Sequence, residues 1–251
     1  MRDMKRTTTN PTNATDATLP EPSRAWQTIP ATRSLSVRGD LMLLTGGRRG
    51  TEDNAFAVAA AVLIDAALSG VIDVRGRRRL GFDRRRVVPG PARPDPSAEP
   101  LMADLRRQVE TAAPDSPLGW CAHLMAWAED AVTDELVSIG LVRVLPVPWW
   151  KRVLRHRTLE VVDPGTVEEI RARLEAIRSG RSGGRAHDVA LGVVLRETDL
   201  LSGTFGRGSR RLARALDREV RTLPPAARAI ADTLGERSAR QDRIGTWYAD
   251  D

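Results

Sequence analysis

The sequence has a single cysteine, Cys121, and only two lysines, Lys5 and Lys151, among its 251 residues. One cysteine excludes an intramolecular disulfide and favours a reducing compartment such as the cytoplasm. Its surroundings, LGWCAHLMAW, are typical of a buried helix, so we expect an inert, packed thiol. No apolar run approaches the roughly 18 residues of a transmembrane helix, and the N-terminus lacks the apolar core of a signal peptide. The sequence therefore predicts a soluble or peripheral protein.

Motifs that carry catalysis are also missing. The glycine-rich segments TGGRRGTED and GTFGRGS contain neither the Gly-Lys-Ser/Thr of a P-loop nor a spaced GxGxxG after a strand. The histidines His123, His156 and His187 lack the spacing of paired metal ligands. We interpret His187-Asp188, at a predicted helix start, as a capping arrangement. Without a nucleophile-elbow pattern either, the sequence predicts a protein that is not an enzyme and uses no cofactor or metal.

What the sequence does have is positive charge, nearly all of it arginine. The formal net charge is +6, the pI is about 10.6, and all but two of the 39 basic residues are arginine. This bias is typical of a GC-rich, bacterial genome, and arginine also suits bidentate phosphate binding. We expect an anionic partner, which could be a lipid surface, a nucleic acid or an acidic protein.

The segment from Leu41 to Arg86 is the most informative. Residues 56–69 carry one charge, Asp65, and are apolar on every side. This composition predicts a helix at the buried centre of a globular domain. Gly70 is expected to end the helix in a left-handed cap, and residues 71–74 alternate as a short strand does.

The rest of the pattern is mainly helical. Apolar spacing predicts helices at 101–109, 118–139, 164–177, 186–201, 209–222 and 224–237. Asp163 is the predicted N-cap of the third of these, and Thr166 and Glu169 could form a capping box. The inward stripe of helix 118–139 is predicted to be Leu124, Ala128 or Trp127, Ala131, Leu136 and Ile139.

The predicted fold class is mainly α. A single globular helical domain surrounds the central helix, with short β-hairpins at its edge; two strands are predicted at 141–145 and 159–162. Residues 1–33 are expected to be a disordered N-terminal tail, 34–236 the helical domain and 237–251 a C-terminal tail.

The order of these segments resembles the Golgi phosphoprotein 3-like family. LIDAALSG at 63–70 is similar to the helix end of that family, and DELVSIGLV at 134–142 to its helix-to-strand segment. Residues 158–177 resemble its turn and arginine-bearing helix, and 186–205 its late helix. The resemblance implies a cytoplasmic, peripheral membrane protein that binds phosphatidylinositol 4-phosphate as a non-enzymatic adaptor. It also implies membrane-protein clients and a hairpin that contributes to membrane contact and self-association.

Two basic segments supply the candidate residues for binding an anionic lipid surface. The hairpin at 75–86 contributes Arg77, Arg78, Arg79, Arg84, Arg85 and Arg86, and the loop at 148–157 contributes Trp149, Trp150, Lys151, Arg152 and Arg155. Each basic residue near acidic lipid contributes about 1 kcal/mol, and adjacent tryptophans suit a membrane interface. Two structural alternatives stay open: the arginines could be a solvated strand edge, and one tryptophan could fill the core.

The resemblance places the phosphoinositide site of the family at four positions, which hold Gly50, Ala59, Ala126 and Glu129 here. None of them is the tryptophan or arginine of the family pattern. A carboxylate at Glu129 would repel a phosphate. We therefore expect a general affinity for anionic lipid, without a specific head-group site.

Two other functions remain as alternatives. Residues 122–162 could form a winged helix that binds nucleic acid, but a recognition helix should be basic. This one instead carries Glu129, Asp130, Asp134 and Glu135. Nucleic acid is accordingly the weaker prediction. The other alternative is a protein-interaction scaffold whose basic surface serves solubility.

Overall fold

The computed structural model describes residues 36–46, 52–76, 78–79, 82–83, 85–111, 116–145, 158–181 and 185–247. Over these residues the chain is mainly helical, with short antiparallel hairpins, which confirms the predicted fold class. The predicted N-terminal tail, residues 1–33, lies outside the described residues.

Helices and hairpins alternate along the described chain. The helices are α1 (Val37–Leu44), α2 (Glu52–Leu68), α3 (Pro100–Thr111), α4 (Pro117–Leu124), α5 (Ala128–Ser138), α6 (Pro164–Ser179), α7 (Ala186–Glu197), α8 (Leu200–Phe205), α9 (Ser209–Glu219) and α10 (Pro225–Trp247). Single 3-10 turns flank α9 at Gly206–Gly208 and Val220–Thr222. The strands are β1 (Ile72–Arg75), β2 (Arg78–Arg79), β3 (Phe82–Asp83), β4 (Arg86–Pro89), β5 (Val142–Leu145) and β6 (Thr158–Val161).

Helix α2 is the buried centre that its composition predicts. Every side chain from Phe56 to Ala66 is at most 8% exposed. Helices α1, α4, α5, α7 and α10 pack around it. Because neighbours cover it on every side, the helix needs no polar face.

Two further helices complete the core. All residues of α1 are buried, and Ser36 caps its N-terminus by accepting a hydrogen bond from the backbone N–H of Gly39. In α7, the run from Asp188 to Leu195 is buried as well. No helix among the residues that the structure describes is both long enough and apolar enough to cross a membrane.

Both hairpins follow a helix that ends in the same way. Gly70 after α2 has φ +73° and Gly140 after α5 has φ +77°, the left-handed conformation that glycine adopts without strain. The N–H of Val71 then donates to the carbonyl of Ala66 at 2.8 Å. This 6→1 bond is the Schellman motif, which satisfies a helix-end carbonyl and turns the chain into a strand. The predicted cap at Gly70 is confirmed.

The predicted helix at 118–139 is two helices. Helix α4 ends at Leu124 and α5 begins at Ala128, with a turn between them. The apolar spacing continues across the break through Leu124, Ala128 and Val132, all 0% exposed, so periodicity does not reveal it. The prediction that Ile139 belongs to the inward stripe is wrong: its side chain is 41% exposed, because the chain already turns towards β5 there.

The late helices also differ from the predicted bounds. The helix predicted at 186–201 breaks after Glu197, where Asp199 takes the left-handed conformation with φ +57°. Aspartate tolerates that conformation better than most residues do. Helix α10 continues to Trp247, past the predicted end at Arg237. The guanidinium carbon of Arg237 lies 3.7 Å from the centre of the Phe56 ring, a cation–π contact that joins α10 to α2.

The predicted start of α6 is confirmed. The side chain of Asp163 accepts a hydrogen bond from the backbone N–H of Gly165 at 2.9 Å, and Pro164 occupies the first helical position. Thr166 donates its hydroxyl to the same aspartate, so it reinforces the Asp163 cap instead of pairing with Glu169.

We expect the substitution Gly90→Ala to destabilise the fold. A Cβ at Gly90 would lie 2.2 Å from the carbonyl oxygen of Gly70, which is backbone and cannot rotate away. The expected loss is about 1–3 kcal/mol, measurable as a lower melting temperature. Gly203→Ala is the matched control, since nothing lies within 4 Å of its Cβ. Equal melting temperatures for Gly90→Ala and the wild type would contradict this packing.

We expect Cys121 to resist thiol reagents in the folded protein. Its side chain is 0% exposed, and burial raises the pKa of its thiol to about 12, so almost no thiolate forms at neutral pH. The measurement is the rate of labelling with a chromogenic disulfide, with and without denaturant. Rapid labelling of the native protein would show that the helix α4 region opens readily.

Candidate functional site

The predicted basic hairpin is present, and its base is held by the helical body. Strand β1 pairs with β4 so that Ile72 lies opposite Pro89 and Arg75 opposite Arg86, and β2 pairs with β3. Ile72 is buried, whereas Arg75 and Arg86 are exposed. The Nε of Arg75 lies 3.7 Å from the carboxylate of Asp73 on the same strand, an exposed ion pair that partly offsets the repulsion between the two arginines.

The rest of this hairpin is described only in part. Arg78 and Arg79 form strand β2 opposite Asp83 and Phe82, but their side chains lie outside the described residues. Arg77 and Arg84 also lie outside them. A lipid contact by these four arginines therefore stays a prediction.

Arg85 does not lie on the surface predicted for it. Its side chain turns inward and is only 7% exposed. The guanidinium donates to the carboxylate of Glu236 and to the carbonyl oxygen of Ala229, both at 2.9 Å. Both partners belong to α10, so this ion pair fastens the hairpin base to the body. The prediction that Arg85 binds lipid is wrong, because a buried, paired guanidinium is inaccessible to a membrane.

The second hairpin has the strands that the sequence predicts. Strand β5 pairs with β6, from Val142 opposite Val161 to Leu145 opposite Thr158, which brings the two ends of the intervening loop together. Arg143 on β5 is exposed. The loop itself lies outside the described residues, and with it the predicted lipid-binding residues Trp149, Trp150, Lys151, Arg152 and Arg155.

The positions that the resemblance assigns to a phosphoinositide head group hold no cation in the described part of the chain. Ala59 is 0% exposed within α2. Ala126 is exposed in the turn between α4 and α5. Glu129 accepts a hydrogen bond from the side-chain amide of Asn54 at 3.3 Å. Gly50 lies outside the described residues.

A cavity of about 550 Å³ lies beside these positions, where α1 ends and α2 begins. Asn54, which bonds to Glu129, is part of its lining. The charged side chains there are Asp53, Asp199 and Arg171, and the others include several threonine and serine hydroxyls. Two carboxylates against one guanidinium do not attract a phosphate. The cavity therefore offers no substitute for the missing head-group site.

The helix required by the winged-helix alternative is acidic in the structure. Asp130 and Asp134 of α5 are exposed, and Glu129 and Glu135 are half-buried. A helix that enters a groove of nucleic acid should present positive charge. The geometry therefore argues against α5 as a recognition helix.

A buried carboxylate joins the central helix to α1. Asp65 accepts hydrogen bonds from the backbone N–H groups of Val37 and Arg38 at 2.9 and 3.0 Å, and from the Arg38 guanidinium at 3.1 Å. The first N–H groups of a helix have no partner within it, so Asp65 acts as a cap supplied by another helix. Burial raises the pKa of Asp65, and Arg38 with the two N–H groups opposes that shift. Arg38 also donates to Glu135 of α5 at 2.9 and 2.8 Å.

A second buried network joins α1 to α6 and α7. Asp40, 0% exposed, pairs with the guanidinium of Arg173 and lies 2.9 Å from Nε2 of His187. The Nε of Arg173 lies 2.9 Å from the carboxylate of Asp188. Burial raises the pKa of Asp40, against the effects of His187 and Arg173. The prediction that His187 caps the start of α7 is wrong, because its ring reaches across to Asp40 of α1 and the helix has no side-chain cap.

The same cluster has the spacing of a metal site. The ligand atoms of Asp40, His187 and Asp188 lie within 4.8 Å of one another. However, the guanidinium of Arg173 lies against both carboxylates and already supplies the positive charge that a cation would bring. We therefore interpret the cluster as an internal ion-pair network that fixes three helices.

A further basic surface, which was not among the predicted sites, lies on α9. Around α9, exposed arginines recur at intervals of three and four residues, the period of one helix face. They are Arg207, Arg210, Arg211, Arg214, Arg218 and Arg221. The signal was present in the sequence, but these arginines are less dense than those of the hairpin.

Comparison with known protein families identifies one match. The family model described as Golgi phosphoprotein 3 (GPP34) matches residues 40–236. The matched region begins within α1, ends within α10 and contains both hairpins. No curated protein matches the sequence.

We expect Asp65→Asn to destabilise the protein by about 3 kcal/mol, since removing one member of a buried ion pair leaves the other uncompensated. An asparagine amide would also present a donor where the carboxylate accepts three hydrogen bonds. Denaturant unfolding measures the change. The control is Glu168→Gln, which removes an exposed ion pair with Arg171 and should change stability by less than about 1 kcal/mol. Equal effects of the two substitutions would contradict this role of Asp65.

Proposed function

Because this chain belongs to the Golgi phosphoprotein 3 (GPP34) family, we propose that it is a non-enzymatic adaptor that associates peripherally with anionic phospholipid membranes. The match over residues 40–236 carries the proposal, since it includes the helical core and both hairpins. The family is generally one of phosphoinositide-binding adaptors at Golgi membranes. Membrane-protein clients and self-association are part of the same proposal, as is a cytoplasmic location.

The charge of the chain supports this function. The formal net charge is +6, and Arg75, Arg86 and Arg143 are exposed on the described strands of the two hairpins. Each basic residue close to an acidic bilayer contributes about 1 kcal/mol, and this attraction falls off within a Debye length. Several arginines acting together give reversible binding that weakens as salt is added.

We propose further that the protein selects membranes by charge and not by head group. Ala59 is enclosed in the core, and Glu129 adds negative charge at a position where the family pattern has arginine. The neighbouring cavity holds more carboxylates than guanidinium groups. The described residues at this site therefore provide no cluster of cations that could bind a phosphoinositide head group.

We expect the full chain to float with vesicles that contain phosphatidylserine and not with vesicles of phosphatidylcholine alone. Addition of salt should release it, because the attraction is electrostatic. Replacing phosphatidylserine with phosphatidylinositol 4-phosphate at matched surface charge should leave binding unchanged. Flotation at low salt measures all three results.

Charge-reversed variants locate the contact. Arg78→Glu with Arg79→Glu should weaken flotation. Arg107→Glu with Arg171→Glu changes the net charge equally at exposed positions of α3 and α6, outside both hairpins. Equal binding to acidic and neutral vesicles at low salt would overturn the membrane proposal. A strong preference for phosphatidylinositol 4-phosphate would instead overturn selection by charge alone.

A further inference from the structure

The arginines around α9 form one continuous row. Arg210, Arg211, Arg214 and Arg218 belong to the helix, and Arg207 and Arg221 to its flanking 3-10 turns. All are exposed. With 3.6 residues per turn and a rise of 1.5 Å, the row occupies a face about 100° wide and about 20 Å long. We call this set of six residues the α9 arginine row.

The opposite face of α9 packs against the core. Leu212, Ala215 and Leu216 are at most 2% exposed. The approach to α7 is so close that a Cβ at Gly192 would lie 2.6 Å from the side chain of Leu216. Because the apolar face is occupied by the core, α9 cannot insert into a bilayer. It can only present guanidinium groups to a surface.

The arginines of this row have no carboxylate partners in the described part of the chain. On other described helices, arginines pair with acids three or four residues away, as in Arg107–Asp104, Arg171–Glu168 and Arg178–Glu175. Within the described part of the chain, no ion pair or hydrogen bond engages a side chain of the α9 arginine row. Asp217, an acid on the same helix, is paired with Arg196 of α7 at 2.6 Å.

The unpaired row acts against the stability of its own helix. Arg210 and Arg214, and likewise Arg214 and Arg218, are like charges four residues apart, a spacing that destabilises a helix. Arg210 and Arg211 also lie in the first turn, where the helix dipole disfavours positive charge. An anion outside the protein would relieve both effects. The arrangement is therefore typical of a surface that binds an anionic partner.

The position of α9 favours an extended anionic surface over a small ligand. A cavity of about 650 Å³ lies between Arg85, at the base of the first hairpin, and Asp217 and Val220, at the end of α9. Its lining carries four carboxylates, those of Glu197, Asp217, Asp232 and Glu236, against the guanidinium groups of Arg85 and Arg196. This cavity is therefore not an anion site, and no member of the α9 arginine row lines it. A row about 20 Å long without a pocket matches phosphates that can move sideways to meet each guanidinium.

We propose that the α9 arginine row is a second contact surface for the phosphate groups of an anionic bilayer, acting beside the basic hairpin. This inference rests on the proposed membrane association, and it identifies a further part of the protein that contacts the membrane. Because α9 packs against the core through Leu212, Ala215 and Leu216, contact through the row would also set how the domain is oriented on the membrane. Duplex nucleic acid is the competing occupant that the experiment must separate.

The test is vesicle flotation of the full chain with Arg210→Gln, Arg214→Gln and Arg218→Gln combined. Glutamine matches arginine in helix propensity, so α9 should remain folded, which thermal melting checks. At low salt, we expect binding to phosphatidylserine vesicles to fall about 100-fold, with a shallower salt dependence. The control combines Arg107→Gln, Arg171→Gln and Arg178→Gln, which removes the same charge from paired arginines. It should bind like the wild type.

The outcomes separate this inference from the proposed function. If the wild type binds acidic vesicles and the α9 variant binds equally well, the row is not a contact surface, but the membrane function stands. If the wild type does not distinguish acidic from neutral vesicles, both proposals fail. If the wild type binds random duplex DNA more tightly than vesicles at equal phosphate concentration, and the α9 variant loses that binding, the row is a nucleic-acid surface. That result would overturn the bilayer as its occupant.

Discussion

One carboxylate in the interior connects the helical core to the surface that we propose for membrane binding. Asp65 accepts the first N–H groups of α1 and one side of the Arg38 guanidinium, and the other side of Arg38 donates to Glu135. Asp65 precedes Gly70, where α2 turns into the first hairpin, and Glu135 holds the same place before Gly140 and the second hairpin. The buried Arg38 therefore links α2, which precedes the first hairpin, to α5, which precedes the second. The cost of burying these charges is offset because each is hydrogen-bonded.

Much of the fold could be predicted because it follows from local pattern. The all-round apolar composition of α2, the glycine after it and the Asp163 cap of α6 are properties of short segments, and the structure confirms them. The breaks after Leu124 and Glu197 could not be predicted, since the apolar spacing continues through the first and no glycine or proline marks the second. At both breaks the buried residues continue on the far side, so the apolar pattern of the segment does not reveal the change of direction.

The candidate site likewise has features that could be predicted from short segments and features that depend on distant residues. The hairpin and its arginines are visible as a dense run, but the inward turn of Arg85 depends on Glu236, 151 residues away. The Asp40–Arg173 pair spans 133 residues, so no spacing rule could have joined them. The α9 arginine row could have been found, because its period is helical and its members are close in sequence. Seven arginines lie within the twelve residues 75–86, whereas the six of the α9 arginine row are spread over the fifteen residues 207–221, so charge density alone points to the hairpin.

The stacking of Arg237 on Phe56 bears on where this domain ends. The family match stops at residue 236, yet the next side chain lies over an aromatic ring of the central helix, and α10 continues to Trp247. The end of the family match, at residue 236, thus differs from the end of the last helix, at Trp247. A chain trimmed at the limit of similarity would uncover one end of the helix around which the others assemble.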